Sequence, residues 1–155
     1  MTKFGDAFKR GQNAADRATR ANKEVDEVIQ AVAAEVFAAT EETIAIKIEK
    51  HPFASLVEPI AFLKGISARR DEFKFVGARN VEAMDRSPVE LATWTRSEAG
   101  YPCTLSYGET EVHAHDRVSL ESAFAELLAS PHAGTRLQEL LNRERPPLTT
   151  GHDDL

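Results

Sequence analysis

A single cysteine, Cys103, stands in this chain of 155 residues, so no internal disulfide forms and no oxidising compartment is needed. No stretch approaches the roughly 18 apolar residues that a membrane span requires. The opening MTKFGDAFKR has neither the apolar core nor the cleavage site of a secretory signal. These absences predict a cytoplasmic protein with no membrane partner. An excess of basic residues is also missing: the net charge is −6, which argues against a nucleic-acid partner, since phosphate contacts call for a basic surface. No glycine-rich GxGxxG turn, P-loop or GxSxG elbow occurs. No cofactor is implied, and the balance tilts away from an enzyme.

Proline is absent before Pro52, and that gap holds the strongest positive signal. Phe4, Phe8, Gly11, Ala15, Ala18, Asn22, Val25, Ile29, Val32 and Val36 follow one another at steps of four and three. This spacing lays a narrow stripe along one helix, the kind of stripe one helix offers another. Alanine is abundant, and Gly5 and Gly11 are the only weak points, so a helix is expected from about residue 3 to residue 39. The first part of the stripe is small and the second part carries branched aliphatics. Asn22 lies between them, where a lone asparagine fixes register at some cost in stability.

The charges along this helix are segregated. Lys3, Lys9, Arg10, Arg17, Arg20 and Lys23 stand against only Asp6 and Asp16 up to residue 23. Glu24, Asp26, Glu27, Glu35, Glu41, Glu42 and Glu49 then stand against Lys47 and Lys50. Antiparallel pairing of two copies matches basic to acidic at both ends, so antiparallel homo-oligomerisation with Asn22 near the two-fold axis is the preferred expectation. The competing expectation is that the stripe packs on the chain's own domain, as amphipathic helices commonly do.

After Thr40 the pattern changes. Ile44, Ile46 and Ile48 alternate with polar residues as in a half-buried strand. A short helix over Ile60–Lys64 and strands over Phe73–Arg79 and Val89–Arg96 are expected next. YPCTLSY, Gly108-Glu109 and TEVHAHD read as a hairpin on a type II′ turn, with Tyr107 opposite Thr110, Leu105 opposite Val112 and Cys103 opposite Ala114. Ser119 is expected to cap a helix, and Ser130-Pro131 to begin another. The predicted class is α+β: a long, coiled-coil-like N-terminal helix, an antiparallel sheet of about five strands and two C-terminal helices on one face. The predicted divisions are an oligomerisation helix over 1–40, a domain over 41–144 and a flexible tail over 145–155.

Few residues suggest chemistry. Glu111, His113 and His115 fall at strand spacing on one face and form a candidate metal set, although the same pattern describes a solvated strand. Cys103 and His113 fall on opposite faces of the expected hairpin, so they cannot form a nucleophilic pair. Trp94, Arg96, Tyr101 and Tyr107 are candidates for lining a ligand pocket.

The chain therefore reads as a non-enzymatic, homo-oligomeric binding protein that acts on a protein or small-molecule partner, as an adaptor, inhibitor or sequestering factor does. A metal-binding protein or small metalloenzyme built on 111–116 is one alternative. A phage structural or counter-defence protein is another, by analogy of size and composition alone.

Overall fold

The computed structural model describes residues 2–51 and 74–147, and its first element is α1 (Lys3–Ala39). Thr2 caps the helix, its hydroxyl accepting the Gly5 N–H at 3.1 Å. At the far end Thr40 donates its hydroxyl to the Val36 carbonyl at 2.8 Å and accepts the Ile44 N–H at 3.0 Å. Glu41 and Glu42 then adopt φ of +54° and +63°, the left-handed region that glycine usually occupies. The Glu42 N–H closes on the Phe37 carbonyl at 2.8 Å, which satisfies one of the orphan carbonyls at the helix end.

Five strands follow: β1 (Ile44–Lys50), β2 (Lys74–Asn80), β3 (Val89–Arg96), β4 (Cys103–Tyr107) and β5 (Thr110–Ala114). They form an antiparallel meander in chain order. α2 (Arg117–Ala129) and α3 (Pro131–Leu141) complete the fold. The α+β arrangement is the expected one, and so is the hairpin register: Tyr107 pairs with Thr110, Leu105 with Val112 and Cys103 with Ala114. Gly108 has φ of +58° while Glu109 stays negative, as a type II′ turn requires.

One expected cap moves, and some expected elements fall outside the described residues. The cap of α2 is Asp116, with Ser119 three residues on completing a reciprocal capping box. The short helix over 60–64, the start of the second strand at residue 73 and the tail beyond residue 147 lie outside the described residues. Across the expected division at residue 40, α1 contributes Val25 and Val28 to the core against the sheet.

The second half of α1, together with α2 and α3, covers one face of the sheet. Ile44, Ile46, Val76, Ala78, Trp94 and Leu105 from the strands meet Val25, Val28, Leu120, Phe124, Leu127 and Leu140 from the helices. Trp94 stacks on Phe124 with ring centroids 5.9 Å apart. The pairing of β2 with β3 shifts between Val76 and Gly77, and Leu91 and Ala92 are both buried beside that bulge. On the opposite face Arg79 grips Glu49 through both carboxylate oxygens. Gly77 leaves the room for this, since a Cβ there would lie 3.0 Å from the Glu49 carboxylate.

Asn80 is fully buried at the end of β2. Its amide donates to the Leu140 carbonyl at 2.9 Å and its oxygen accepts the Glu82 N–H at 2.9 Å, tying the last turn of α3 to the sheet. Asn80→Ala leaves both partners unsatisfied and is expected to cost about 1–3 kcal/mol, read from urea unfolding. The Ser119 N–H and hydroxyl hold the Asp116 carboxyl below the usual carboxylate range. The stability from this cap is therefore fully present above the ordinary carboxylate range and is lost as pH falls through the depressed value. Asp116→Asn, which keeps a capping side chain but cannot titrate, is expected to flatten that acid-side fall in melting temperature.

Candidate interaction surface at the base of the N-terminal helix

The helical stripe is divided by the rest of the molecule. Along Lys3–Arg17 every residue is exposed except the half-buried Asp6. Phe4 is 81% and Phe8 66% exposed, the two most exposed aromatic side chains among the described residues. The side-chain hydrogen bonds of this stretch are local: Thr19 donates to the Ala15 carbonyl and Arg20 to the Asp16 carbonyl. Among the described residues, no hydrogen bond or ion pair ties residues 3–20 to another element. The first half of α1 is an arm.

Contact with the domain begins at Ala21, where the loop between β3 and β4 grips the helix. Gly100 is buried against it with φ of +98°, and a Cβ there would fall 2.6 Å from the Ala21 Cβ. Glycine is thus required both by its backbone angle and by the closeness of the helix. The Asn22 amide donates to the Glu98 carbonyl at 3.1 Å and to the Ala18 carbonyl at 2.9 Å. Arg96 donates to Asp26 at 2.9 Å and approaches the Asn22 side-chain oxygen at 3.4 Å. The Tyr101 hydroxyl donates to Glu24 at 2.7 Å, and burial together with that carboxylate pushes the phenol's pKa up. Beyond this grip Val25 is buried, and Ile29, Val32 and Val36 pack on the core.

The stripe expected to pair with another copy therefore has two fates. Val25, Ile29, Val32 and Val36 are taken by the chain's own domain, joined by Val28, which lies off the heptad register. Phe4, Phe8, Gly11 and Ala15 remain uncovered, with Ala18 and Asn22 at the boundary. Asn22 has both amide protons engaged within the chain. Within the chain the asparagine anchors the Ser97–Gly100 loop through the Glu98 carbonyl.

Where the arm meets the loop lies an open groove of about 940 Å³. Ala14, Ala15 and Ala18 form its floor, Ser97 and Ala99 its far wall, and Asp26, Glu98 and Lys23 lie along it. The loop half of this wall could not be foreseen from helical spacing, because Glu98 and Asn22 are 76 residues apart. A smaller crevice of about 180 Å³ between α1 and α2 is lined mainly by aliphatic carbon.

The other candidate residues do not assemble as expected. Trp94 and Tyr107 are core, Tyr107 lying beside His132 with ring centroids 6.0 Å apart. Arg96 lies over Trp94 at 5.9 Å and, with Tyr101, serves the grip on α1, so the four do not line one pocket. Glu111 and His113 are exposed and 3.9 Å apart. His113 shares a hydrogen bond with Thr104 at 2.9 Å. β5 ends at Ala114, and the His115 N–H turns to the Ser119 hydroxyl in the cap of α2. Among the described residues no three His, Cys, Asp or Glu side chains converge as a metal site would need. Cys103 is buried on the helix side of the sheet, where burial pushes its thiol up to about 11, far from the reactive range. His113 lies across the sheet from it.

No family model matches the chain, and no curated protein or solved structure matches it either. No helix among the described residues is long and apolar enough to cross a membrane.

Gly100→Ala combines a strained φ with a collision against α1. It is expected to cost about 1–3 kcal/mol in urea unfolding. Gly108→Ala, whose Cβ would meet nothing closer than His132 at 3.9 Å, should cost less.

Proposed function

We propose that this protein is a non-enzymatic, self-associating binding protein of the cytoplasm. The N-terminal arms of separate copies pair antiparallel, and the sheet domains they carry are free to hold a protein or small-molecule partner. The observation that supports this reading is the arm itself. A helix of about 18 residues with glycine at positions 5 and 11 is marginal on its own in water. Covering a phenylalanine side chain contributes about 1.5–3 kcal/mol, and Phe4 and Phe8 gain little of this within the chain.

A narrow stripe flanked by Ala7, Gln12, Ala14 and Thr19 suits another helix better than a flat surface, because small flanks let two backbones approach. Lys3, Lys9, Arg10, Arg17 and Arg20 lie off this face and keep the arm hydrated. Antiparallel pairing carries the basic tip of one arm towards Glu24, Asp26 and Glu27 of the other.

Light scattering tests the reading. The full chain is expected to run as an oligomer, and a variant lacking residues 2–17 as a folded monomer with nearly the same unfolding midpoint, since those residues bury nothing in the domain. Phe4→Ala with Phe8→Ala should also give the monomer. A full-length chain that is monomeric at high micromolar concentration would falsify the proposal.

A further inference from the structure

We propose that the groove between the arm and the β3–β4 loop is the seat for Phe4 and Phe8 of a second copy, so that two arms pair antiparallel about an axis at the level of Asn13. This rests on the self-association proposed above and adds the register and the seat.

The argument starts from shape. The groove has an alanine floor, Ala14, Ala15 and Ala18, and opens widely to solvent. Such a surface holds a bulky side chain from outside and has none of its own to offer. The chain carries the complement on the same stripe, in Phe4 and Phe8 at the arm's exposed end. Residues 4, 8 and 11 step by four and three, and residues 15, 18 and 22 step by three and four. Read in opposite directions, the two triplets mesh. Phe4 falls opposite Asn22, Phe8 opposite Ala18 and Gly11 opposite Ala15, each contact occurring twice about the axis. Large meets small in both outer layers, and the backbones approach most closely at the centre, where a Cβ on Gly11 would touch nothing within its own chain.

Alternative registers fit less well. Sliding one heptad towards the tip sets Phe4 on Ala15 and Phe8 on Gly11, and leaves Ala18 and the loop uncovered. A parallel pair sets Phe4 on Phe4 and Phe8 on Phe8, with nothing bulky to enter either groove. It also brings Lys3, Lys9 and Arg10 beside their own copies. In the antiparallel register this basic tip lies towards a base that carries Asp26 and Glu98, together with Lys23 and with Arg96, which is paired to Asp26.

Asn22 does not oppose the arrangement. Both of its amide protons are already engaged, with the Ala18 and Glu98 carbonyls, so a phenyl ring laid beside it leaves no donor stranded.

The register is testable with nitroxide labels on cysteines introduced singly at Lys3, Asn13 and Arg20 in the full chain, with distances read by pulsed dipolar spectroscopy. Cys103 is buried and does not compete for the label. At 1.5 Å of rise per residue, the two labels of a pair are offset along the axis by about 30 Å at position 3, about 20 Å at position 20 and not at all at position 13. The expected order of distances is therefore Asn13, then Arg20, then Lys3. Equal distances at all three positions mean parallel pairing and overturn the register. A longer distance at Arg20 than at Lys3 means the heptad-shifted register and overturns the seat. Filling the seat by Ala18→Phe is expected to raise the dimer dissociation constant at least tenfold, and an unchanged constant overturns the seat even in an antiparallel dimer. A monomeric mass for the unlabelled full chain overturns the underlying self-association instead.

Discussion

The grip of the β3–β4 loop on α1 governs the rest of the molecule. Gly100 packs against Ala21, and Arg96, Tyr101 and the Glu98 carbonyl reach Asp26, Glu24 and Asn22. These contacts decide where along 37 residues the helix stops being core and becomes arm. On one side of the grip, aliphatic side chains are buried against strands. On the other, the same periodic stripe continues without a neighbour in the chain. Removing a polar contact here leaves charged or amide groups half-buried and unpaired, which is costlier than the contact was favourable.

Geometry makes such an overhang unavoidable. A helix of 37 residues runs about 55 Å at 1.5 Å per residue. A strand of seven or eight residues spans about 25 Å, and five strands placed side by side cover a similar width. A helix lying on that sheet must project by about half its length. The domain is complete without the projecting half, which adds exposed phenylalanines to the surface and no core.

Local chemistry made much of this fold legible in the sequence. The hairpin register could be read from Gly108 and the alternation on either side of it, because a two-residue turn leaves only one pairing that keeps Cys103, Leu105 and Val112 on a common face. Ser130-Pro131 marked the start of a helix for equally local reasons. The cap of α2 was displaced from Ser119 to Asp116 because both side chains take part in one reciprocal box. The division of the stripe was not legible. Spacing of three and four is the same whether a helix meets a sheet or another helix, and the contacts that decide it join residues 70 or more positions apart. The same blindness assigned Trp94, Arg96, Tyr101 and Tyr107 to a pocket. Aromatic and arginine side chains look alike whether they line a cavity, fill a core or hold a helix.

No glycine or proline lies between Gly11 and the end of α1 at Ala39. One uninterrupted ladder of backbone hydrogen bonds therefore runs from the arm into the core. A hinge would let each domain swivel freely about the point where the arm is held. A continuous helix transmits direction as well as position, so whatever captures the arm also sets the angle at which the sheet faces its surroundings.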